Sequence, residues 1–160
     1  RDRDTLESAL TRKTICDRSF ISGLAFSYAR QTVFKLGDVT RQHAHIRKVV
    51  QEGRIHVPWL AYLSIDVGSF FEREKKDHER RILAFGEKAV KNVSIDKEQE
   101  EFFKKQIEYY ERTIQNLNVP YLRLDGQKTP EELSQTVALW ASTLQMPLPQ
   151  QNIEAFFVTP

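Results

Sequence analysis

With one cysteine, Cys16, the chain cannot form an internal disulfide. Its place at the end of a short apolar run suits a buried thiol better than a nucleophile. A reducing intracellular compartment, the cytoplasm by default, is the expectation. No apolar run approaches the roughly 20 residues that cross a bilayer. The charged start Arg1-Asp2-Arg3-Asp4 is unlike a signal peptide, so no membrane partner is expected. Charge of one sign is also lacking. The 24 lysines and arginines against 22 acidic residues leave a formal +2, too little for a general attraction to nucleic acid or anionic lipid. Any anion site has to come from local arrangement. Repeats, low-complexity blocks and Gly/Ser linkers are absent, which leaves no sign of a second domain. What is present is 40% hydrophobic residues, enough for 160 residues to bury one core.

Periodicity reads as helices alternating with short strands. Leu6 and Leu10 fit a short helix before the β-prone run Lys13-Thr14-Ile15-Cys16, which stops at Asp17-Arg18. Ser19 is a helix N-cap for Phe20, Leu24, Tyr28 and Leu36. A basic, weakly amphipathic helix is expected from Val39 to Glu52, ending at Gly53. Trp59 to Asp66 is nearly continuously apolar and reads as a parallel strand covered on both faces. Val67 to Lys75 is helical, and the charge-dense stretch from Asp77 to Asn92, with Ile82, Leu83 and Phe85 as anchors, is expected to be mobile. Ser94 or Asp96 caps a long helix carrying Phe103, Ile107, Tyr110, Ile114 and Leu117. Tyr121 to Asp125 is a strand that closes in the turn Gly126-Gln127-Lys128-Thr129. Thr129 then caps a helix with Pro130 at its first position and Leu133, Val137, Trp140 and Leu144 on one face. The tail holds the apolar group Phe156-Phe157-Val158, which either packs over an edge or extends irregularly. Three strands separated by helices imply an α/β layered fold with a parallel sheet. In such sheets ligands bind beyond the carboxyl ends of the strands, where Asp17, Asp66 and Asp125 would share one rim.

The run Asp17-Arg18-Ser19-Phe20-Ile21-Ser22-Gly23-Leu24-Ala25-Phe26 carries a more specific signal. It resembles the signature of the thymidylate-kinase family of P-loop nucleotide kinases, with Asp17, Arg18, Ser22, Ala25 and Phe26 at the matching offsets. The family usually has an aromatic residue where this chain has Ser19 and a glutamine where it has Ser27. An arginine at a strand end offers bidentate donors to phosphate. The resemblance implies that Arg18 holds the acceptor phosphate, that Asp17 lies in the catalytic phosphate and metal zone, and that Ser22 and Phe26 line the acceptor pocket. After the strand ending at Asp66, the segment Phe70 to Arg81 falls where such kinases place an arginine-bearing lid. Arg73, Arg80 and Arg81 are its catalytic candidates. The turn before the last helix falls where the family approaches adenine, at Gln127 and Lys128.

Together these imply a three-layer P-loop kinase-like parallel sheet flanked by helices, using ATP and Mg2+ on a nucleotide acceptor, over residues 1–145 with an extension at 146–160. A homodimer or larger assembly is compatible with it. One part is missing from the sequence. None of the glycines at 23, 37, 53, 68, 86 and 126 is followed by lysine, so the loop G-x-x-x-x-G-K-[ST] that cradles ATP phosphates is not among these residues. The expectation is an incomplete kinase domain whose N-terminal strands lie outside this sequence; the alternative is a kinase-derived domain without catalysis, serving as a binding or structural part. A metal site at His43-Ala44-His45 is not expected, because residues two apart face different sides of a helix. Arg41, Arg47, Lys48 and Arg54 read as a solvated helix surface rather than a nucleic-acid face.

Overall fold

The computed structural model describes residues 19–55, 57, 59–86, 97–117, 121–144 and 152–160. The elements are α1 (Phe20–Phe34), α2 (Val39–Gln51), β1 (Ala61–Ser64), α3 (Val67–Phe85), α4 (Lys97–Asn116), β2 (Leu122–Asp125), α5 (Pro130–Thr143) and a 3-10 turn (Ile153–Phe156). Strands β1 and β2 pair in parallel, from Ala61 with Leu122 to Ser64 with Asp125. The fold is therefore α/β, helix-rich around a small parallel sheet. The expected strand at 13–16, Asp17, Arg18 and the caps Ser94 and Asp96 lie outside the described residues.

Caps set the helix ends. Ser19 Oγ accepts from the Ile21 N–H at 3.3 Å and starts α1. Apolar positions then recur every three or four residues, and Ile21, Leu24, Ala25, Tyr28 and Ala29 are buried. Leu36 does not continue that stripe. The helix stops first, at Lys35 in the left-handed region (φ 56°), and Leu36 is 52% exposed. Asp38 caps α2 by accepting from the Arg41 N–H at 2.9 Å. At the other end Gly53, at φ 67°, donates to Val50 O (3.0 Å) while the Arg54 N–H reaches Val49 O (2.9 Å), a Schellman closure.

Helix α1 lies along α4, where Tyr28 and Tyr109 meet with ring centroids 5.4 Å apart. The Tyr28 hydroxyl donates to Glu108 (2.5 Å) and accepts from Arg112 (3.0 Å). On the other side α4 meets the sheet, with Tyr110 stacked on Tyr62 (5.5 Å). Arg123 of β2 donates to Glu111 of α4 at 2.5 Å and lies over the Tyr62 ring. Burial pushes the Tyr62 hydroxyl up to about 12.

Three sequence expectations need correcting here. Residues 59–66 do not form a strand covered on both faces. Only four of them pair, and Leu63 is 45% exposed while Tyr62 is buried. The charged stretch beginning at Asp77 is ordered helix as far as Phe85, because opposite charges four apart support the turn, as Arg81 and Asp77 do at 2.5 Å. Within it Leu83 anchors nothing, being 87% exposed. No helix among the described residues is long and apolar enough to cross a membrane.

Candidate functional site at the strand ends

Because β1 and β2 run in parallel, both carboxyl ends open on one rim, and the helices that follow, α3 and α5, begin there. Asp66 closes β1 and caps α3, accepting from the Ser69 N–H at 2.8 Å. Hydrogen bonds from the Ser69 side chain and backbone hold its carboxyl below the usual range, so it stays ionised at neutral pH. Asp125 closes β2 and accepts from the Gln127 N–H at 2.9 Å. Thr129 and Glu132 form a reciprocal capping box at the start of α5, which with the nearby Lys128 holds the Glu132 carboxyl low.

The two strand ends are tied to each other. The Gly126 N–H donates to Ser64 O at 2.7 Å, and a Cβ on Gly126 would lie 2.6 Å from that oxygen and 3.0 Å from Ile65 Cβ. The Gln127 amide reaches across to Ser69 Oγ at 2.7 Å and Asp66 Oδ2 at 3.4 Å. From α3, the Arg73 guanidinium donates to the Gly126 carbonyl. Arg73, Gln127, Asp66 and Asp125 thus converge at one place. Lys128 stands beside them, its Nζ 3.7 Å from Glu132.

The remaining site residues that the structure describes sit apart from this cluster. Arg80 and Arg81 are on the same helix as Arg73 but about 10 Å and 12 Å further along its axis. Arg80 falls within about 20° of Arg73 around the helix, Arg81 about 80° away. Ser22 and Phe26 lie one turn apart on α1, with Ser22 half-buried and Phe26 49% exposed. Phe26 leads into a row of rings absent from the sequence reading. It meets Phe102 edge-on (5.1 Å), Phe102 adjoins Phe103 (6.1 Å), and Phe103 contacts Phe70 (4.3 Å) in the first turn of α3. Phe70 and Phe103 line an apolar cavity of about 150 Å³ that also touches Tyr62, Ile65 and Val67. The row connects the α1 candidates with the helix that begins at the rim. Ser69 was also missed, though its position three after a strand-ending aspartate is a readable cap signal.

Among the described residues no three His, Cys, Asp or Glu side chains group as metal ligands. No family model matches this chain, and no curated protein and no solved structure shows significant similarity to it.

Proposed function

We propose that the chain is the acceptor and lid side of an ATP-dependent nucleotide kinase acting on a deoxynucleotide such as thymidylate. The observation that carries this reading is the position of Arg73. The lid arginine nearest the strand stands on the rim where parallel strands end, fixed by the Gly126 carbonyl and next to Gln127. Of its five N–H groups, the others have no hydrogen-bond partner among the described residues and can serve phosphate oxygens. Arg18 grips the acceptor phosphate, Ser22 and Phe26 face the acceptor, and Arg80 and Arg81 act from further along α3. Gln127 and Lys128 approach the adenine.

The donor set fits such a ligand. Cationic Arg73 and Lys128 suit phosphate, and ionised Asp66 suits a magnesium ion held mainly by phosphate oxygens and water. When bound, ATP with Mg2+ supplies the phosphoryl group and neutralises charge on it. The phosphate loop belongs to chain outside these 160 residues, on a strand at the edge of β1 that has no partner among the described residues. The complete sheet would be the three-layer arrangement of P-loop kinases.

One observation favours a second reading, a kinase-derived domain with a binding or structural role. Several rim groups already satisfy one another. Asp66 caps α3, Gln127 bonds Ser69, and Arg73 bonds the Gly126 carbonyl. Melting temperature separates the two, since a ligand that binds only the native state must stabilise it. At about a hundred times Kd, thymidylate should raise the melting temperature by about 5 °C or more. The same chain unmoved by thymidylate and by Mg-ATP would support the structural role.

A further inference from the structure

Residues 152–160 return to the centre of the molecule. Phe156 and Val158 are 0% and 2% exposed, and Phe156 meets Phe20 edge-on at 6.0 Å. The Tyr109 hydroxyl donates to the Phe156 carbonyl, and Arg112 donates to Thr159 O at 3.0 Å. Between these anchors Phe157 lies nearly flat on His43 of α2, with centroids 4.7 Å apart and planes at 25°. Arg47, one turn further along α2, sits over the same Phe157 ring at 4.7 Å and holds both oxygens of Glu154 at 2.6 and 2.7 Å.

His43 is the unusual member of this contact. It is 4% exposed, and its Nε2 has no hydrogen-bond partner among the described residues. A neutral imidazole tolerates that position, because the unpartnered nitrogen can be the one without a proton. An imidazolium does not. It would bury a second N–H without an acceptor, and a positive charge beside the Arg47 guanidinium. The charged groups facing the ring are Arg47 from its own helix and Glu154 from the C-terminal segment, whose two oxygens Arg47 already occupies.

We propose that His43 is a proton-operated catch for the C-terminal strap 152–160: the neutral ring keeps Phe157 seated, and protonation unseats it. The sign follows from the chemistry of the pocket. Burial, reinforced by Arg47 and opposed by Glu154, draws the His43 imidazole below its ordinary value. The folded state therefore binds this proton less readily than the unfolded chain, in which the ring titrates near pH 6.5. The contribution is fully present above about pH 6.5 and is lost as pH falls from there through the lower folded value. Glu154, held below the usual carboxylate range by the Arg47 hydrogen bond, stays ionised across that window. The strap packs on Phe20, the first residue of α1, so its release acts on the helix that carries Ser22 and Phe26. The catch itself rests on packing alone and is independent of the kinase reading.

The test is an NMR titration of the full chain from pH 7.5 to 5, following the His43 ring, the Val158 methyls and the amide protection of 153–159. The strap signals are expected to move with the midpoint of His43, below 6.5. Amide protection is expected to fall at least tenfold beyond the intrinsic change in exchange. His43→Phe keeps a flat ring that cannot titrate and should abolish the transition. Glu154→Gln removes the charge that opposes the shift, so it should keep the transition and move its midpoint lower. The proposal is overturned if strap signals ignore the His43 titration, if His43→Phe retains the transition, or if Glu154→Gln removes it. Should His43→Phe fail to fold, the comparison of midpoints in the unaltered chain still decides.

Discussion

Phe156→Ala is expected to destabilise the fold by about 3–5 kcal/mol, read as a lowered urea midpoint with an unchanged slope. The side chain is fully buried and belongs to the core that contains Tyr28, Val39 and Tyr109. Its neighbours are the Phe20, Tyr28 and Tyr109 rings of α1 and α4 and the valines of α2, already packed together, which cannot collapse cheaply into its volume. For a domain whose total stability is about 5–15 kcal/mol, that is a large fraction. A loss under about 1 kcal/mol would show that the strap lies on the core without completing it.

Gly126→Ala should cost about 3 kcal/mol for a different reason. The added methyl meets a backbone oxygen, Ser64 O, at 2.6 Å, and backbone cannot rotate away as a side chain can. Relief requires parting the strand ends, which would loosen the Gly126 bond to Ser64 and move the loop that Arg73 and Gln127 hold. Gly23→Ala is the control. Its Cβ would meet nothing within 4 Å, and alanine inside α1 should be neutral or gain up to about 1 kcal/mol. Equal effects of the two substitutions, measured by chemical denaturation, would contradict the close approach at the rim.

These two sites also show which kinds of information the sequence carried. The capped helix boundaries were legible because caps are local chemistry, whereas the ends of α1 at Phe34 and α3 at Phe85 were not. Ser19, Thr129 with Pro130, and the stop at Gly53 each act within a few residues of themselves. That strands lie within 59–66 and 121–125 was legible from apolar runs ending on an acid, though not that they pair with each other. The buried side of α4 was only half readable. The series Phe103, Ile107, Tyr110 and Ile114 marks one stripe, while Tyr109 and Thr113, both 0% exposed, lie on a second face covered by α1. A helix packed on two sides has no single apolar stripe, so one period cannot describe it. The core role of Phe156 and Val158 was undecidable from the tail alone. Its partners, Phe20 and Tyr109, are distant in sequence.

The candidate site divides in the same way. Asp66 and Asp125 were placed on one rim by the rule that parallel strands end together, and the structure puts them there. That Arg73 would reach the Gly126 carbonyl, 53 residues away in sequence, depends on the angle at which α3 leaves β1. No local pattern encodes that angle. The row from Phe26 to Phe70 likewise depends on three helices meeting. The kinase reading of Asp17 and Arg18 rests on the spacing of the signature, since both lie outside the described residues.

The most direct measurement is a calorimetric titration of thymidylate into the full chain and into its Arg18→Ala variant. If Arg18 grips the acceptor phosphate, the variant binds about thirtyfold more weakly, equivalent to about 2 kcal/mol. Equal affinity in the two proteins, or no binding to either, would contradict the assignment of this chain to nucleotide phosphorylation.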